Sequence, residues 1–98
     1  MNRIKLDDKL SFFIEQEEKR LRLIVFNNNE ELVCHKANPI DLKRFIESEE
    51  GHLFKGRLQL DKKDGSIFLS VKGDTIGAID LPEFERLINQ SYQPKQIT

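Results

Sequence analysis

Cys34 and His35 adjoin, and a thiol beside an imidazole is the pairing a nucleophile and its base would need. The segment that carries them, LVCHKA, reads as a short strand, where neighbouring side chains point to opposite faces. The two therefore cannot act on each other. Cys34 is expected to point inward as a small core residue, leaving His35 on the outer face. His52 is the only other histidine, and its spacing from His35 resembles no zinc signature. The carboxylates fall where structure wants them. Asp41 and Glu83 sit in first helical turns, Glu47, Glu49 and Glu50 form a solvated helix end, and Glu15, Glu17 and Glu18 flank a turn. There is no Walker loop, and Gly56, Gly73 and Gly77 stand singly as turn, bulge or strand-end glycines. The expectation is a protein that is not an enzyme and uses neither cofactor nor metal.

The remaining chemistry lies in rings set among basic and small polar groups: Phe13, Arg22, Ile24, Phe26, Arg57, Gln59, Phe68, Ser70 and Lys72. On one open sheet face, rings stack bases while cations meet phosphates, as in binders of single-stranded nucleic acid. The alternative is that Phe13, Ile24, Phe26 and Phe68 fill a homodimer or other protein interface, since a monomer seldom leaves such a patch bare. Both readings require the elements to put these residues on one side.

Those elements follow from periodicity. FFIEQ and RLRLIVF alternate with period two, placing Phe12, Ile14, Leu21, Leu23 and Val25 on one face and Phe13, Arg22, Ile24 and Phe26 on the other. LVCHKA is a third strand. In NPIDLKRFIES, Asn38 caps a helix, Pro39 is preset at its first position, Leu42, Phe45 and Ile46 form its stripe, and Gly51 is available to end it. The order then recurs. GRLQL and SIFLSV place Leu58, Leu60, Ile67, Leu69 and Val71 on one face, with Asp64-Gly65 turning between them. TIGAI is the third strand of this pass. In IDLPEFERLINQ, Asp80 caps, Glu83 answers three residues on, and Phe84, Leu87 and Ile88 form the stripe. The hairpins superpose at an offset of 46 residues, the third strands and helices at 42, and the longer NNNEE turn supplies the difference.

The fold class implied is α+β: two βββα units, residues 10–51 and 52–90, in one domain. One antiparallel sheet of about six strands would carry both helices on one face, with 91–98 as a flexible tail. Residues 1–9 are polar and are expected to fray, and whether residues 1–10 add a seventh strand is left open.

Composition agrees with a thin architecture: of 98 residues, 38% are apolar and 34% charged. The net charge of −1 gives no overall pull toward nucleic acid or an anionic membrane. One local excess exists in 52–72, where Lys55, Arg57, Lys62, Lys63 and Lys72 face only Asp61 and Asp64; it reads first as a solvated strand face. A single cysteine excludes an intramolecular disulfide and suits a reducing compartment. With no apolar run near about 18 residues and a polar start, MNRIKLDDK, the expectation is a soluble cytoplasmic chain with no membrane contact.

Strands followed by one closing helix, used twice, resemble the PUR repeat of single-stranded nucleic acid binding proteins. KGDTIGAIDLPEFERLINQ is also similar to the end of the PC4-type coactivator domain, where a glycine-rich strand runs into a capped helix. The PUR unit has four strands, one more than periodicity assigns to each pass here. The resemblance spans about residues 11–90. It implies two repeats packed on each other and single strands bound on a curved sheet, with Arg22, Phe26, Arg57, Phe68 and Lys72 as the binding residues.

Overall fold

Two four-stranded antiparallel sheets form the computed structural model, which describes residues 3–91. The first unit runs β1 (Arg3–Lys5), β2 (Leu10–Glu17), β3 (Arg20–Asn27), β4 (Glu30–Ala37) and α1 (Pro39–Glu47). The second runs β5 (Gly51–Leu53), β6 (Leu58–Lys63), β7 (Ser66–Val71), β8 (Asp74–Asp80) and α2 (Leu81–Ser91). The protein is α+β, but the single six-stranded sheet is not formed. Each unit has a fourth strand at its start, in order β1-β2-β3-β4 and β5-β6-β7-β8. These extra strands have three residues each, too few to show a period. The expected tail lies outside the described residues from 92 onward, while Ser91 ends α2.

The register repeats with the sequence pattern. Ile14 pairs Leu23 and Phe12 pairs Val25 in the first unit; Leu60 pairs Leu69 and Leu58 pairs Val71 in the second. Leu21 opposite Ala37 and Ile67 opposite Ile79 continue the match into the last strands. The turns are tight. Asp64-Gly65 and Lys72-Gly73 are left-handed at both positions, as a two-residue hairpin of the primed type requires.

One core takes the apolar faces of both sheets and the stripes of both helices. Phe84 of α2 stacks on Phe12 of β2 at 6.2 Å and meets Phe45 of α1 edge-on at 6.3 Å. The Ser91 hydroxyl, at the far end of α2, donates to the Ile14 carbonyl at 2.8 Å. The second unit's helix thus closes on the first unit's sheet, and the units interdigitate. Lys62 ties them in the other direction. Expected on a solvated face, it is only 9% exposed and donates from Nζ to the Ile46 and Ser48 carbonyls at the end of α1. Its parity with Leu58 and Leu60 turns it inward, and the orphan carbonyls of a helix end make that burial tolerable.

The helix signals are partly as read. Asn38 Oδ1 accepts from the Ile40 amide at 2.9 Å, but α1 stops at Ser48, and Gly51 belongs to β5 instead. Glu83 turns to Arg86 on its own helix.

Candidate nucleic-acid interface

Arg22 and Phe26 lie on the outer face of the first sheet, and Phe68 lies on the outer face of the second; the five expected binding residues are not gathered on one surface. The two faces differ in chemistry. On the first, Arg22 is surrounded by acids: Nη1 lies 2.5 Å from Glu15 Oε1, Nη2 2.7 Å from Glu31 Oε1, and Nε 3.7 Å from Glu17 Oε2. Hydrogen bonds to Cys34 Sγ at 3.5 Å, and to Glu15 and Glu31, raise the guanidinium pKa above its ordinary value. Lys36 binds Glu17 at 2.8 Å and holds that carboxyl below the usual range. Arg3 covers the Phe26 ring at 4.1 Å, and Phe13 meets the same ring at 6.5 Å. Beneath them Ile24 is 2% exposed. This face is covered by its own side chains.

Cys34 belongs to the same cluster, exposed and outward, which corrects its expected place in the core. In β4 it is Val33, His35 and Ala37 that oppose the inward Val25, Leu23 and Leu21. His35 accordingly leaves the outer face and stacks on Phe54 at 3.9 Å, 14° from parallel. A run of six residues with apolar groups at both parities carried no information about which side was in.

The second sheet presents a different surface. Across its four strands run His52, Asp61, Phe68 and Ala78 as successive cross-strand partners. The next row toward the β7–β8 turn is Gln59, Ser70 and Thr75, with the two hydroxyls 3.5 Å apart. Phe68 is thus a half-buried ring bordered by small or polar side chains. Beyond that row the Lys72 amide donates to the Arg57 carbonyl at 2.9 Å, placing two exposed cations side by side at one end. At strand rise they stand roughly 13 Å along the sheet from Phe68. Lys63 lies on the other side of the ring, one row away, opposite Ser66. Among the described residues, Lys55, Arg57, Lys63 and Lys72 have no carboxylate partner, in contrast to Arg22 and Lys36.

His52 and Asp61 were not singled out by sequence. Nδ1 of His52 is 2.5 Å from Oδ1 of Asp61, both about half exposed. Extending the alternation of GRLQL into Asp61 and Lys63 would have found them, but a lysine at an inward position breaks the pattern there. Among the described residues no three His, Cys, Asp or Glu side chains gather as metal ligands would.

No protein-family model, curated protein or solved structure matches the chain. Among the described residues, no helix is long and apolar enough to cross a membrane.

Proposed function

We propose that the protein is a non-enzymatic binding domain that takes single-stranded nucleic acid on the outer face of its second sheet. One observation carries the reading: a ring on an open sheet, bordered by small polar side chains and flanked by cations that no carboxylate engages among the described residues. Phe68 offers the stacking surface, while Arg57, Lys72 and Lys63 meet phosphates. Arg22 and Phe26 of the first sheet take a lesser part, because three glutamates and Arg3 already occupy them. The order of four strands and a helix, used twice, adds support as the order of the PUR repeat.

Binding of a fluorescent oligonucleotide tests this. Three phosphate contacts give a salt slope near −2, so affinity should fall about 20-fold between roughly 50 and 200 mM salt. Phe68→Leu should weaken binding by about 5- to 100-fold, the worth of one stacked base. Affinity indifferent to salt, or undiminished in the variant, rejects the reading.

A second reading, contact with another chain of the same protein, is favoured by a different surface from the one expected. Ile40 is 60% exposed beside a 510 Å³ groove between the helices, walled by Ile46 and Ile88 and rimmed by Lys43, Glu47 and Glu85. Mixed charge at that rim can be matched reciprocally by a second copy. Light scattering on the same samples reads it, a constant monomer mass counting against self-association.

A further inference from the structure

We propose that the His52–Asp61 pair makes this face pH-sensitive, binding nucleic acid more tightly when His52 is protonated. The proposal rests on the nucleic-acid reading above and adds its regulation. Asp61 is the direct cross-strand neighbour of Phe68, so an ionised carboxylate stands beside the surface on which a base would stack. Its charge opposes the phosphates that Arg57, Lys72 and Lys63 attract. His52, the cross-strand partner on the other side, places Nδ1 at 2.5 Å from that carboxylate.

Neutral His52 can donate a hydrogen bond to Asp61, but the pair still carries one negative charge. Imidazolium cancels it. The other charged groups around the pair leave its sign in control. Glu50 precedes β5 and Lys63 follows Asp61 in β6, one of each sign, while Lys62 is turned inward onto the end of α1. From β7 the face receives Ser66 and Phe68, and from β8 Ala78 and the carboxylate of Asp80. The chain has one other histidine, and it is placed differently: His35 lies on the core-facing side of β4, stacked on Phe54. His52 is therefore the one imidazole beside Phe68.

The expected direction is tighter binding as pH falls through the histidine range. Removing one negative charge about 7 Å along the strand from a phosphate held at Lys63, in a solvent-exposed setting, gives about a two- to threefold change at low salt. A labelled oligothymidine is the suitable probe, because its bases and phosphodiesters keep constant charge over these pH values. Anisotropy titrations at low salt should show the wild type gaining affinity at the acid end. His52→Gln should bind at the weaker level at both pH values, Asp61→Asn should reach the wild type's acid-end affinity already at the alkaline end, and His35→Gln should keep the wild-type response. A pH response retained in His52→Gln, or absent from the wild type while binding and its salt dependence persist, overturns the switch and leaves the binding reading intact. Absence of wild-type binding at every pH overturns both.

Discussion

At the scale of single residues, the same side chain means different things according to its immediate company. Arg22 and Arg57 are equivalent in type, and both were expected to hold phosphates. Arg22 is committed to Glu15, Glu17 and Glu31, whereas Arg57 has no such partner among the described residues. The acids themselves carry a testable consequence. Amides of Lys9 and Leu10 donate to Asp7 Oδ1 at 2.7 Å each, and Lys36 and Arg86 engage Glu17 and Glu83; all three carboxyls are held below their usual range. A folded-state pKa below the unfolded value lends stability above the ordinary carboxylate range, and this is lost as pH falls through the folded values. Urea midpoints should therefore decline from about pH 6 to about pH 3. Asp7→Ala should lower the neutral midpoint and flatten that decline, while Asp7→Asn, which keeps an acceptor, should restore part of the neutral value. The cross-strand partner of Glu17 was illegible in sequence. Glu15 and Glu17 showed as a turn's acids because their cation, Arg22, lies on the next strand.

At the scale of elements, hydrophobic alternation located the six longer strands, and capping chemistry located the start of α1. It could not reach β1 and β5, whose three residues are too few for a period. It also faltered in β6, where Lys62 occupies a position that Leu58 and Leu60 mark as inward. The structural reason is specific. The end of α1 presents carbonyls with no helical partner, and a lysine from the opposite unit fills that need while its stem covers apolar surface. Lys62→Met preserves the stem and removes the donors. It should destabilise by about 1–3 kcal/mol, the cost of leaving buried acceptors unpaired. Urea melts give the size, and hydrogen exchange should show the loss concentrated at the last turn of α1, whose Ser48 amide donates to the Arg44 carbonyl. An unchanged melt would mean that water serves those carbonyls equally well.

At the scale of the whole molecule, the repeat was legible and the docking of its copies was not. Offsets of 46 and 42 residues survive as matching strand registers, because each copy uses one parity to face the core. How two such faces meet depends on contacts between residues far apart in sequence, and no local pattern encodes those. Gly77 is one. An added Cβ there would lie 3.2 Å from Leu6 Cβ and Cδ2, so the loop between β1 and β2 approaches β8 as closely as a bare backbone allows. The sequence offered only a glycine inside TIGAI, readable as a kink or a close approach. Gly77→Val should overfill this inter-unit contact and cost about 1–3 kcal/mol. Adding Leu6→Ala removes the obstructing side chain, so the double variant should lose less than the sum of the two single losses. Strict additivity in the urea-derived free energies would mean that residues 6 and 77 do not touch, and with that contact would go the proposed close seating of the first unit's leading loop on the second unit's last strand.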